Sequence, residues 1–230
     1  MKWLYSILLL LSVQALAATP ASVQVTYSVS MNGIEAGKID EIYSKKGDHY
    51  TINSVTTPQG LLAMFKPGKV YLGSRGLLTV QGLKPLYFED KREDNPEKNV
   101  AAEFNRDVRQ LTLIHQSVRT TIELQEGTQD RLSAMYQFMF LDFKNGDTLN
   151  FFMTNGNKLD NYHYLIGKTG KLDTPAGQFD TLYLDSQAKA GESRTEIWLS
   201  TEYKLPCKLV ITESNGTQYT QILSTLKIIP

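Results

Sequence analysis

Apolar and polar residues alternate along the stretch 23–31: Val23, Val25, Tyr27, Val29 and Met31 are apolar, and Gln24, Thr26, Ser28 and Ser30 between them are polar. A period of two sends successive side chains to opposite faces of an extended chain, so this segment reads as a strand with one wet face. Asn32-Gly33 follows, and both residues tolerate the positive φ of a tight hairpin turn. The same dipeptide recurs at Asn145-Gly146, Asn155-Gly156 and Asn215-Gly216, which argues for an antiparallel meander. Further short strands are predicted over 39–44, 50–55, 70–73, 77–80, 86–89, 99–104, 110–115 and 118–124. The second half continues with 148–154, 162–167, 179–185, 195–200, 207–212 and 218–227. Regularly spaced strands separated by turn residues mean a mainly β protein, an antiparallel meander rolled into a barrel or half-barrel.

One segment departs from this pattern. Residues 129–143, QDRLSAMYQFMFLDF, place Leu132, Met135, Tyr136, Met139, Phe140 and Phe143 on one broad face at about 100° per residue. Ser133 and Gln137 mark a narrow polar strip, while Phe138 and Leu141 fall outside the main face. The predicted helix is therefore oily around most of its circumference and needs cover on more than one side. A curved sheet has a concave side its own strands cannot fill, and burying one Leu or aromatic side chain there contributes about 1.5–3 kcal/mol. The helix is thus expected to lie across the concave side as core. Met-rich aromatic surfaces are also adaptable, so the same helix offers Met135, Tyr136, Phe138 and Met139 as candidate lining for an apolar guest. Both roles are compatible.

Two shorter segments stay open or bland. The run 60–68, GLLAMFKPG, fits a short helical turn or an apolar loop tip, because periodicity does not decide over so few residues. The mixed-charge run 89–98, with Pro96 inside it, reads as a solvated hairpin tip.

The N-terminus places the protein in the cell. Lys2 precedes an apolar run over 3–13, and Ala15-Leu16-Ala17 has the small-x-small pattern cut by signal peptidases. The run falls short of the roughly 20 residues that span a bilayer, so 1–17 is expected to be a cleaved export signal and 18–230 one β-rich domain. No cysteine directly follows the signal, and Cys207 is the one cysteine in the chain, so neither a lipid anchor there nor an internal disulfide is expected. The expected location is the bacterial periplasm, with no integral membrane segment. The formal net charge is zero, or −1 once Lys2 is lost, which gives no electrostatic funnel for nucleic acid.

A search for reaction chemistry returns no catalytic residue, metal site or cofactor. His49, His115 and His163 are widely separated and lack metal-ligand spacing. No nucleophile elbow or phosphate-binding glycine loop occurs. Cys207 alternates with Leu209 and Ile211 on an apolar strand face, where thiols are inert. Asp160, Asp173, Asp180 and Asp185 are neighbours in sequence only, and a glycosidase needs two carboxyl groups facing each other across a cleft.

Three blocks together carry a resemblance: QDRLSAMY (129–136), TPAGQFDTLYL (174–184) and IWLSTEYKLPCKL (197–209). They resemble the bacterial domain-of-unknown-function 3108 family, whose pattern has a Gln-Asp-x-x-Ser helix start, a Thr-Pro-x-Gly-x-Phe turn and a Trp-Leu-Ser strand running into Leu-Pro. The resemblance spans essentially the whole mature chain and implies an exported β-rich protein with no assigned activity. The layout is also similar at fold level to periplasmic lipoprotein-carrier half-barrels. Fold likeness alone does not carry function.

The first functional expectation is a non-enzymatic periplasmic protein that holds a lipid or other amphiphilic small molecule inside its rolled sheet. The alternative is a cell-envelope interaction or assembly protein with a filled core, using exposed tips such as 61–65 to meet an envelope protein. A hydrolase of envelope polymers comes third.

Overall fold

A computed structural model describes residues 19–189 and 191–230. The export signal expected over 1–17 lies outside the described residues. The first arm of the chain runs β1 (Ser22–Met31), β2 (Ile34–Lys46), β3 (His49–Pro58), a short helix α1 (Gly60–Phe65), β4 (Val70–Thr79) and β5 (Gly82–Arg92). It ends in β6 (Val100–Asn105), β7 (Gln110–His115) and β8 (Val118–Glu123). The second arm begins with the two-residue β9 (Gln129–Asp130) and helix α2 (Ser133–Gln137), then β10 (Thr148–Thr154), β11 (Leu159–Thr174) and β12 (Gly177–Asp185). It closes with β13 (Arg194–Ser200), β14 (Pro206–Thr212) and β15 (Gln218–Ile229).

These strands form one 15-stranded sheet in the order β8-β7-β6-β5-β4-β3-β2-β1-β15-β14-β13-β12-β11-β10-β9. All neighbours are antiparallel except β9 and β10. The two arms meet in the middle through β1 and β15, from Ser22 opposite Ile229 to Met31 opposite Tyr219. Their far ends are joined by the loop 124–128. At roughly 4.8 Å per strand a flat sheet of this order would be about 67 Å wide. The loop reaches about 20 Å at most. Covalent connection therefore forces the sheet to roll.

The roll does not close by strand pairing. Strand β6 pairs with the outer half of β5 only, from Tyr87 to Asp90. The inner half, Gly82 to Leu86, keeps an edge that no strand covers, and the β9 and α2 segment comes up against it. Two buried clusters lie inside. One is built on Tyr43, Tyr50, Ile52, Phe88 and Leu111, and Leu132 and Tyr136 belong to it. The other holds Tyr164, Ile166, Leu184, Ile197 and Leu199 together with Phe138. Met135 touches both. The oily helix is covered on two sides, as its circumference demanded.

Several sequence expectations are corrected in detail. The runs 70–73 and 77–80 belong to the single strand β4, because Gly73 and Gly76 are places of close approach rather than breaks. A Cβ on Gly76 would lie 2.2 Å from the carbonyl oxygen of Lys84, at a bulge opposite Pro85. Asn32-Gly33 has positive φ at both residues, 51° and 79°, as a two-residue hairpin requires. Asn145-Gly146 is no hairpin between strands; it leads from the post-helical segment into β10, and Gly146 N–H donates to the Ile166 carbonyl at 2.8 Å. In the charged run 89–98, Asp90 turns inward and is buried, 3.1 Å from Arg92 and 3.6 Å from Arg131.

The helix is shorter than the 129–143 expected. Gln129 and Asp130 pair with Met153 and Thr154 as β9, α2 covers Ser133–Gln137, and one 3-10 turn, Phe138–Phe140, follows. Its start is capped reciprocally. Asp130 Oδ1 accepts from Leu132 N–H at 2.9 Å and Ser133 N–H at 2.8 Å, and Ser133 Oγ accepts from Asp130 N–H at 2.9 Å. Its end is set by packing. Phe143 meets Phe138 edge to face at 5.9 Å, and Lys204 Nζ donates to the Leu141 carbonyl at 2.7 Å, satisfying an acceptor the helix gives up. A continued helix would swing 141–143 away from that second cluster.

Candidate functional site

The uncovered edge of β5 is satisfied by side chains. Gln137 Oε1 accepts from Leu83 N–H at 2.7 Å while its Nε2 donates to the Gln81 carbonyl at 2.9 Å. Gln129 Nε2 donates to the Leu83 carbonyl at 2.9 Å. Arg106 Nη2 donates to the carbonyls of Pro85 at 3.3 Å and Thr128 at 3.2 Å. Two glutamines and an arginine thus stand where a neighbouring strand would. Gly82 makes room for one of them: its φ is +105°, and a Cβ there would lie within hydrogen-bond length of the Gln137 amide. The polar strip expected of the helix is therefore not a solvent face. Ser133 belongs to the cap and Gln137 to the seam.

A cavity of about 290 Å³ lies along this seam, between the β4–β5 turn, the loop 124–128 with the start of β9, the helix and β10. Leu83, Ala134, Phe138, Leu141, Leu149 and Phe151 supply its apolar walls. Lys84, Arg106, Gln129 and Asn150 line it with polar groups, and the exposed Glu126 stands at its edge. Two of these groups carry an unspent atom. Gln129 is 5 % exposed, yet its Oε1 has no hydrogen-bond partner, and neither has Arg106 Nε. A buried polar atom left unpaired costs roughly 1–3 kcal/mol, so the seam is a strained part of the roll.

Of the candidate residues on the helix, Phe138 lines this cavity. Tyr136 does not. Its ring stacks on Tyr43 at 5.4 Å, and its hydroxyl donates to Glu41 Oε2 at 3.2 Å. Met135 lies between the two clusters and Met139 packs against the first, both away from the cavity wall. Arg106, Gln129, Leu149 and Phe151 were not singled out from sequence. The alternation of β10 identifies its apolar side chains, but nothing local in Gln129 or Arg106 announces an unpaired atom.

Beneath the helix lie two interior carboxyl groups. Tyr50 Oη and Ser74 Oγ are 3.1 Å apart, and Ser74 Oγ donates to Asp130 Oδ2 at 2.6 Å. Burial pushes the Asp130 carboxyl up to about 6, against the pull of these hydrogen bonds. Glu41 accepts from Ser54 Oγ at 3.1 Å as well as from Tyr136, and burial likewise raises its pKa. Neither acid lines the cavity, and each has its oxygens engaged, so both serve the fold. Cys207 is buried, and desolvation pushes its thiol up to about 11. Among the described residues no group of three or more His, Cys, Asp or Glu converges as a metal site would.

A second hollow of about 370 Å³ lies at the rim near Gln178, Thr201 and Glu202. It is polar, and its exposed lining holds no orphaned buried group.

Comparison with known proteins bears on the whole chain. A family model described as "Protein of unknown function (DUF3108)" matches residues 26–224. The chain belongs to that family. The match runs from β1 into β15, so the DUF3108 unit is the rolled sheet with its helix. Among solved structures, this DUF3108 chain is similar to a crystal structure titled as a beta-barrel-like protein of domain of unknown function DUF1849 from Brucella abortus. The identity is 11 % and the TM-score 0.57, with 90 % of this chain and 98 % of the other covered. At that identity the likeness is one of fold. No curated protein sequence matches. No described helix is long and apolar enough to cross a membrane.

Proposed function

We propose that this DUF3108 protein is exported to the periplasm and there holds one apolar chain of an amphiphilic small molecule in the seam cavity. The observation that carries the reading is a cavity with apolar walls at the place where the sheet fails to close. Small-molecule sites run from roughly 300 to 1,000 Å³, so a cavity of about 290 Å³ suits a single chain or ring rather than a multi-chain lipid. Lys2, the apolar run 3–13 and Ala15-Leu16-Ala17 support export. Ala134 on α2 and Phe138 in the turn after it form the apolar wall of the helical segment; Met135, Tyr136 and Met139 hold that segment in place behind it. Native mass spectrometry of the protein purified from its own cell envelope tests this. A reproducible adduct of amphiphile mass is expected, lost on mild organic extraction. A bare polypeptide mass in every preparation overturns the proposal.

One observation favours a second reading, docking to an envelope protein. Leu61, Met64 and Phe65 on α1 are 63 %, 76 % and 81 % exposed, a cluster of large apolar side chains that gains nothing in water. Crosslinking in cells, repeated with Met64 and Phe65 changed to serine, tests it: a partner lost in the variant supports docking, and no partner removes it.

A further inference from the structure

We infer that the free edge of β8 docks a second copy of this chain, the two β8 strands pairing antiparallel about a two-fold axis at Thr121. Strand β8 ends the sheet, with β7 on one side and no strand on the other. A two-residue turn, Gln116-Ser117, joins β7 to β8, and the ladder runs without a bulge from His115 opposite Val118 to Gln110 opposite Glu123. Alternate pairs of an antiparallel ladder exchange hydrogen bonds, and a two-residue turn makes His115 and Val118 one of those pairs. The Leu124 N–H, donating to the Arg109 carbonyl at 2.9 Å, keeps the same phase at the far end. Val118, Thr120 and Ile122 therefore bond to β7, while Arg119, Thr121 and Glu123 turn their N–H and C=O groups outward. Among the described residues, no backbone hydrogen bond reaches those outward groups. Open edges are usually blunted by Lys, Pro, a bulge or a covering segment. The open half of β5 has Gln129, Gln137 and Arg106 over it, whereas β8, VRTTIE, has none of these devices.

Charge selects the occupant. Ile122 packs against the first buried cluster, so Arg119, Thr121 and Glu123 share the outer face, where all three are exposed. Arg119 and Glu123 stand equally far on either side of Thr121. In antiparallel pairing centred on Thr121, Arg119 comes opposite Glu123 of the second copy, Thr121 opposite its own equivalent, and Glu123 opposite Arg119. These are the residues whose backbone groups point outward, so hydrogen-bonding phase and charge agree in one register. Opposite charges directly across two strands attract, and like charges there repel. Arg119 already bonds Glu103, and Arg109 bonds Glu123, so the second copy joins two exposed ion pairs into one row of alternating sign. A strand of unrelated sequence would gain the backbone bonds without this match. Because the contact is isologous and consumes the same edge on both copies, it closes at a dimer.

Sedimentation velocity of the mature chain from about 1 µM to about 1 mM tests this, a range chosen because a contact along one short strand edge is weak. The average mass should climb from monomer towards dimer and no further. Arg119→Glu sets like charges opposite each other at both ends of the pairing and should weaken association about tenfold. Combining Arg119→Glu with Glu123→Arg restores opposite signs in the same register and should recover it, with circular dichroism confirming that each variant is folded. Thr121→Cys brings two thiols across the axis, where paired Cα atoms lie about 5.5 Å apart, inside the range a disulfide bridges. It should oxidise to a covalent dimer much faster than Ser117→Cys at the hairpin tip, and the buried Cys207 does not compete. A mass that stays monomeric over the whole range overturns the proposal, whatever other protein the edge captures. Association that Arg119→Glu leaves unchanged lies elsewhere on the molecule and overturns it as well. Failure of the charge-swapped double variant to associate, or equal crosslinking through positions 121 and 117, overturns the register about Thr121.

Discussion

Replacing Asp130 by asparagine tests the interior of the roll. Asp130 is fully buried, and its neighbours Ser74, Ser133 and Tyr50 are neutral. Asparagine keeps the Oδ1 acceptor that caps α2 and can donate from Nδ2 to Ser74 Oγ, but it does not ionise. The carboxyl pKa of about 6 against an ordinary 3.8 means the folded chain binds the proton more tightly than the unfolded one. Below about pH 3 the group is protonated in both states and contributes no pH dependence. Between about pH 4 and pH 6 the folded state keeps a proton the unfolded state has released, so stability falls as pH rises. Above that window both states are ionised and the loss is complete. At about 1.4 kcal/mol per pH unit the loss amounts to about 3 kcal/mol. The measurement is urea unfolding of wild type and Asp130→Asn at pH 4, 5, 6 and 7, followed by circular dichroism. Other titrating groups cancel in the difference. The variant should gain about 2.5 kcal/mol on wild type between pH 4 and pH 7, the rest of the loss falling below pH 4. A difference that stays flat over this range would refute the account of Asp130 as a carboxyl raised by burial.

Other expectations follow from the seam and the core. Phe138→Ala should destabilise by about 3–5 kcal/mol in the same urea assay, since it empties a buried site in the second cluster. Gln137→Ala strands the half-buried Leu83 N–H, while water can serve the exposed Gln81 carbonyl, and should cost about 1 kcal/mol. Gly82→Ala should destabilise too, because the residue has φ +105° and its new methyl would strike the Gln137 amide; a neutral Gly82→Ala would show that the seam is looser than described. Cys207 should react with a thiol reagent only after denaturation, and rapid modification of the native protein at pH 8 would contradict its buried, protonated state.

Much of the architecture was legible because strands, turns and buried faces are written locally. The alternation in β1, the Asn32-Gly33 hairpin and the inward thiol of Cys207 each depend on a few consecutive side chains. Gly73 and Gly76 misled because a glycine that admits a close neighbour looks, from its own position, like one that breaks a strand. The end of the helix was hidden for a related reason. It depends on Lys204, 63 residues away from Leu141 along the chain. Asp90 was misplaced by the charges around it, since Arg131, its partner from the other arm, is invisible to a local window.

The sequence by itself determined that this chain is an antiparallel β protein with one apolar helical segment that must be enclosed, because periodicity and turn chemistry act over neighbouring residues. Only the tertiary structure decided where the roll stops. The short loop 124–128 ties the arms together, but β6 leaves half of β5 unpaired, and side chains of Gln129, Gln137 and Arg106 complete that edge. The cavity and its unpaired atoms exist at that junction of distant segments, and their placement depends on how two long arms of hairpins meet in space.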